Sequence, residues 1–260
     1  MADERVRLEV DGPIATITNN SPDNHNAFDD AMDVALFDIF AEMKGRRDLR
    51  AVIWRAEGRS FSSGRDVATL ANPQAELSHH ELMKRGHRGI LQVLDIEAPI
   101  IVAMKGWTIG GSFQRALICD IRVAAEGARM MLPELAHGVI PDTGGVGRLY
   151  QMCGHGVVSD MVLTGRPMSA EEALHHGVVS RVVPDADLDA TVREMAEKIA
   201  AAPMVAVNMA RRVIKNLSEP SLHSSMSDEL IYQTFIRKSD DMAEMRQARD
   251  EGRPPHYAGS

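Results

Sequence analysis

The hydrophobic period changes repeatedly along the first half of this 260-residue chain, and that alternation restricts the fold more than any single motif does. Short β-rich runs, "AVIWRA" (51–56) and "IIVAMKG" (100–106), are separated by segments with apolar residues at helical spacing. "DDAMDVALFDIFAEMKG" (29–45) puts Met32, Leu36, Ile39, Phe40 and Met43 on one helical face and stops at Gly45. "SHHELMKRGHRGILQVL" (78–94) opens with Ser78 and Glu81 in capping-box spacing. Strands joined through helices run parallel, so the pattern predicts an α/β fold with crossover helices. Ahead of it, "RVRLEV" and "IATIT" meet through Asp11-Gly12 as a hairpin.

Beyond about residue 145 the pattern becomes mainly helical. "SAEEALHHG" carries a capping box, Ser169 and Glu172, and stops at Gly177; "VVSRVV" is a last strand-like run. Three helices are expected after it, over "DLDATVREMAEKIAAAP", "MVAVNMARRVIKNL" and "MSDELIYQTFIRKSDDMAEMRQARDEG". The division expected is a core over 1–200 and a C-terminal helical region over 201–260. No internal repeat or low-complexity segment interrupts it.

A hydrophobic share of 44% suffices for a sizeable core. The longest apolar run, "PIIVAM", is too short to cross a bilayer, and "MADERVRLEV" has no signal-peptide character, so a cytoplasmic protein without a membrane partner is expected. A net charge of −8 argues against nucleic acid as a partner. Cys119 and Cys153 lie in apolar segments without ligand spacing, which suits buried thiols rather than a disulfide or zinc site. The pairs His79-His80 and His175-His176 lack a third ligand on the same helical face, so no metal is expected.

Two glycine-containing turns each follow a strand: "FSSGRD" (61–66) and "GWTIGG" (106–111). Singly, each reads as a loop in which Gly satisfies the backbone. Facing one cavity, their free N–H groups would hold a carbonyl oxygen as it gains negative charge.

"SFSSGRDV", "KGWTIGGSFQRALICDIRVAAE", "LPELAHGVIPDTGGVGRL" and "LTGRPMSAEEALHHGVVSRVV", in this order, resemble the motifs of the enoyl-CoA hydratase/isomerase (crotonase) superfamily, especially its carnitinyl-CoA dehydratase-like members. The resemblance runs over roughly residues 5 to 257. It implies a spiral of β-β-α turns with a helical C-terminal trimerisation region, a homotrimer or dimer of trimers, and an acyl-CoA thioester as ligand with no separate cofactor. It places the oxyanion donors at the backbone N–H groups of Arg65 and Gly111. Ser63, Gly64, Arg65, Asp66, Gly110 and Gly111 would then line the substrate and CoA turns. The N-terminal motif departs from the family in "SPDNHNA", where Asp23, Asn24 and His25 stand, and no basic residue follows Asp66, which leaves Arg65 or Arg59 to meet the CoA phosphates.

Family members that hydrate a double bond hold water between two glutamates. Glu134 matches one, and Gln114 stands where the other would be. An amide can position water but cannot take or give a proton. Asp142 is a third candidate, placed where dienoyl-CoA isomerases and 4-chlorobenzoyl-CoA dehalogenase use an acid; it is also a plausible turn residue before Thr-Gly-Gly. His87 falls where the dehalogenase has a base, and otherwise reads as a solvated or helix-packing histidine. Arg115 would pair with an acyl carboxylate, a neighbouring subunit, Asp120 or Glu126. The resulting expectation is hydration, dehydration or isomerisation of an enoyl-CoA. A non-catalytic acyl-CoA-binding homologue and a dehalogenase- or hydrolase-like enzyme using Asp142 are the alternatives.

Overall fold

The computed structural model describes residues 3–66 and 79–259. β1 (Val6–Asp11) and β2 (Ile14–Asn19) form the expected antiparallel hairpin, turning at Gly12 with φ 57°. α1 (Asp30–Met43) is capped by the Asp29 carboxylate, which accepts from the Met32 N–H at 2.9 Å. Then come β3 (Ala51–Ala56), α2 (His79–Leu91), β4 (Ile100–Met104), β5 (Trp107–Ile109), α3 (Gly111–Ile118), β6 (Ile121–Ala125) and β7 (Arg129–Met131). The remainder is α4 (Gly145–Thr164), β8 (Met168–Ser169), α5 (Ala170–His175), β9 (Arg181–Val183), α6 (Leu188–Ala200), α7 (Met204–Ile236) and α8 (Asp240–Glu251). The capping box expected at Ser78 lies outside the described residues. The one at Ser169 forms, its hydroxyl accepting from the Glu172 N–H at 3.1 Å.

Six strands make one sheet in the order β1-β2-β3-β4-β6-β9, parallel from β2 onward, and β5-β7-β8 make a second. β4 and β5, then β6 and β7, each lay one strand in either sheet, with β4–β6 and β5–β7 both parallel. This is the spiral of β-β-α turns. Side chains of the large sheet alternate between two cores: Val52, Trp54, Ile100 and Val102 cluster with Met32, Leu36 and Phe40 of α1. Ile53, Ile101, Ala103 and Val123 cluster with Leu188, Val192, Ala196 and Ala200, one stripe of α6. Burial on both faces explains why the strands read as continuous apolar runs.

The C-terminal helices depart from the expected pattern. α7 runs through Pro220 as one helix of 33 residues. Proline removes one helical hydrogen bond, but Leu222, Met226, Glu229 and Gln233 beyond it form a buried stripe, and α7 packs on α2 and α4. That packing holds the helix together where local propensity would end it. The break falls instead before Ser239, whose hydroxyl caps α8 by accepting from the Met242 N–H at 3.2 Å. Among the described residues no helix is long and apolar enough to cross a membrane.

Candidate active site

Both glycine turns stand at the end of a large-sheet strand and are joined backbone to backbone. The Ser62 N–H donates to the Trp107 carbonyl at 3.0 Å, and the Ile109 N–H to the Ser62 carbonyl at 3.0 Å. Gly64 has φ 88°, and a Cβ there would lie 2.7 Å from the Ile109 oxygen, so only glycine allows this approach. The Ser62 hydroxyl donates to the Asn26 carbonyl at 2.7 Å, accepts from the Gly64 N–H at 3.1 Å and lies 2.7 Å from the Ser112 hydroxyl in the first turn of α3.

Around the two expected donors, neighbouring N–H groups are already engaged. Phe28 N–H reaches the Gly64 carbonyl, Asp66 N–H the Phe28 carbonyl and Gly110 N–H the Met131 carbonyl, at 2.8, 2.9 and 2.9 Å. Among the described residues the N–H groups of Arg65 and Gly111 have no acceptor. Gly111 begins α3, where an N–H has no partner within the helix.

Glu134 sits on a short 3-10 turn (Glu134–His137) after Pro133, over the second glycine turn: a Cβ on Gly110 would lie 3.4 Å from its Oε1. That oxygen accepts from Gln114 Nε2 at 2.8 Å, while Oε2 is buried without a partner. Burial above all pushes the Glu134 carboxyl up to about 8, and the nearby charges of Asp142 and Glu229 act in the same direction against the Gln114 hydrogen bond. Near neutral pH this group carries a proton.

Gln114 is fully buried. Its Oε1 accepts from the N–H groups of Thr143 at 2.8 Å and Gly145 at 3.3 Å, which assigns the amide orientation and turns Nε2 toward Glu134. Gly145 is pressed against it; a Cβ there would lie 2.3 Å from Gln114 Cγ. The structure thus brings Gln114, Glu134 and the Asp142-containing loop together.

Asp142 accepts from the Thr143 hydroxyl at 3.4 Å, and burial raises its carboxyl above the usual range against the pull of His87. His87 is half-buried, and its Nε2 meets the Asp142 backbone carbonyl. A ring nitrogen donating to a carbonyl has no lone pair for base catalysis, which removes the base the dehalogenase reading needs at that atom.

Arg115 takes a partner other than those expected from the sequence. Arg115 pairs with Asp33 at 2.7 Å and stacks over Phe28 at 5.0 Å, whereas Asp120 takes Arg211 at 2.6 Å. The Arg65 guanidinium is held by Asp30 and Asp33. Arg59 stays exposed and lies 2.7 Å from His25 Nε2. The departing motif around His25 is woven into the first turn: Asn26 Nδ2 donates to the carbonyls of Glu57 and Ser60 at 3.0 and 2.8 Å, and the Ser63 N–H to the His25 carbonyl at 2.9 Å. Both cysteines are free thiols, and burial pushes Cys119 up to about 12.

The residue that sequence reasoning missed is Glu229. It accepts from the Gly144 N–H at 2.7 Å, inside the turn that holds Gln114. Its signal was its place in the stripe of Leu222, Met226 and Gln233, where a carboxylate is out of keeping with an apolar face.

The family model for enoyl-CoA hydratase/isomerase matches residues 9–260. A carnitinyl-CoA dehydratase of Salmonella heidelberg (strain SL476) is 34% identical over 261 residues, covering 98% of this chain and 99% of that protein. The solved enoyl-CoA hydratase/isomerase of Pseudoalteromonas atlantica T6c superposes with a TM-score of 0.88 at 27% identity, over 98% of this chain and 100% of that one. A carnitinyl-CoA hydratase structure from Mycobacterium avium gives 0.84 at 30% identity, over 99% and 100%.

Proposed function

Because the chain belongs to the enoyl-CoA hydratase/isomerase family, we propose that it adds water to, or removes it from, an enoyl-CoA thioester with Glu134 as its proton carrier. The thioester oxygen lies between the N–H groups of Arg65 and Gly111, where the charge of an enolate is stabilised; such a donor is typically worth about 10²–10³ in rate. In dehydration, protonated Glu134 gives its proton to the departing β-hydroxyl and takes the Cα proton, so that the double bond and water form and the carboxyl is restored. Hydration is the reverse. Gln114 steers this carboxyl by its amide donor and leaves its second N–H for the transferred oxygen. CoA arrives with the substrate, and the chemistry calls on no separate cofactor. The observation that carries the reading is the buried Glu134 carboxyl held by a fixed Gln114 amide beside two unengaged backbone donors.

Gln114→Glu tests it. The new carboxylate keeps the Thr143 and Gly145 donors, and its other oxygen meets Glu134, so the pair shares a proton and offers acid and base together. Hydration of a short enoyl-CoA, followed by loss of thioester absorbance, is expected to rise about 10-fold or more. An unchanged or lower rate in a folded, acyl-CoA-binding variant would mean that Gln114 serves a reaction other than hydration, double-bond migration first.

The assembly proposed is a homotrimer or a pair of trimers. In its support, α7 leaves Val205, Leu217 and Phe235 between 76% and 80% exposed, large apolar side chains suited to a subunit contact. Light scattering at micromolar concentration is expected to give at least three times the monomer mass, and a monomer would overturn this.

A further inference from the structure

We propose that Glu229, from α7, is a positioning residue for Glu134, acting through the Thr143-Gly144-Gly145 turn and the Gln114 amide. The inference rests on Glu134 being the proton carrier.

Hydrogen bonds on either side of one backbone turn link six residues: Glu229, then Thr143, Gly144 and Gly145 of the turn, then Gln114 and Glu134. Glu229 is 5% exposed; its Oε2 accepts from the Gly144 N–H at 2.7 Å and its Oε1 from the Ser225 hydroxyl at 2.7 Å. Gly144 is the N-cap of α4, with φ 76° and no side chain to cap the helix, and its own N–H goes to a carboxylate from another helix. At Gly144 and Gly147, α4 presents no side chain to α7. A Cβ on Gly144 would lie 2.2 Å from Leu222 Cδ1, and one on Gly147 would lie 2.8 Å from Ser225 Cβ. On either side of Gly144 the N–H groups of Thr143 and Gly145 converge on Gln114 Oε1, and that double contact leaves Gln114 Nε2 to face Glu134 Oε1. A shift of the turn would rotate the amide and release the carboxyl.

The charge of Glu229 adds a second effect. Burial raises Glu229 to about 7 and Glu134 to about 8. Glu229 faces Asp142 from the loop before α4 and Asp228 on its own helix, both raising it further, while Glu134 feels Asp142 and Glu229. A negative charge on Glu229 favours the proton on Glu134, because two neighbouring carboxylates repel. Removing that charge must therefore lower the pH at which Glu134 ionises.

Two variants separate positioning from bulk support. Glu229→Gln keeps an acceptor for the Gly144 N–H and removes the charge, whereas Glu229→Ala removes both. The Glu134 titration is read from its side-chain carboxyl ¹³C shift in Glu-labelled protein, assigned with Glu134→Gln. It is expected to move to lower pH by about half a unit in Glu229→Gln, and the pH–rate midpoint should follow. For Glu229→Ala, kcat on a short enoyl-CoA is expected to fall about 10–10²-fold with KM nearly unchanged. Adding Gln114→Ala should cost little more, because the two act on one path. An unmoved Glu134 titration overturns the electrostatic role, and wild-type kcat in Glu229→Ala, or additive losses with Gln114→Ala, overturns the path. Should Glu229→Ala fail to fold, the Glu229→Gln titration decides. A wild-type protein that turns over no enoyl-CoA would instead refute Glu134 as the proton carrier and leave the titration result standing.

Discussion

Glu134→Gln is expected to lower turnover of an enoyl-CoA by about 10²–10⁴-fold while leaving the affinity for a saturated acyl-CoA within about threefold. The substitution is nearly isosteric. A glutamine oxygen at Oε1 can still accept from Gln114 Nε2, so the geometry of the pair persists and only the movable proton is lost. Binding is spared because the groups proposed to hold the thioester are backbone N–H groups of Arg65 and Gly111, which the change does not touch. Stopped-flow absorbance for turnover and isothermal titration for binding would measure both. A residual rate within tenfold of wild type would move the proton transfer to another group, with Asp142, whose carboxyl is also raised by burial, next in line.

Gly64→Ala is expected to lower kcat by about 10²–10³-fold and to lower the melting temperature. With φ at 88° and a Cβ 2.7 Å from the Ile109 oxygen, alanine forces the two glycine turns apart. Each proposed donor belongs to one of these turns, so their separation misaims the pair rather than one member. Gly127→Ala is the control, since its Cβ would meet nothing within 4 Å and its φ is not positive. A folded Gly64→Ala protein with normal turnover would show that the approach of the turns is not what places the thioester oxygen.

Both predictions depend on features of differing legibility. The glycine turns were readable because a turn after a buried strand leaves a local signature: Gly at fixed offsets from "AVIWRA" and "IIVAM". Glu134 and Gln114 were readable through motif order. The direction of the Gln114 amide was not, since it follows from the Thr143 and Gly145 N–H groups, 29 and 31 residues further along the chain. Glu229 lay in a helix whose continuity past Pro220 was itself obscured, because proline weighs against a helix locally and the burial that overrides it comes from α2 and α4.

By itself, then, the sequence determined the repeating strand and helix pattern and the positions of the glycine turns. Each of these depends on periodicity or backbone freedom within a short stretch. Tertiary structure alone decided the partners of the charged and polar groups. Arg115 chose Asp33, 82 residues away, over the nearby Asp120 and Glu126, and Gly144 found Glu229 across 85 residues. Electrostatic and hydrogen-bonding groups have no period of their own. Their partners are whichever groups the packed core brings within about 3 Å, and for a buried N–H or carboxylate the cost of going without one makes that choice binding.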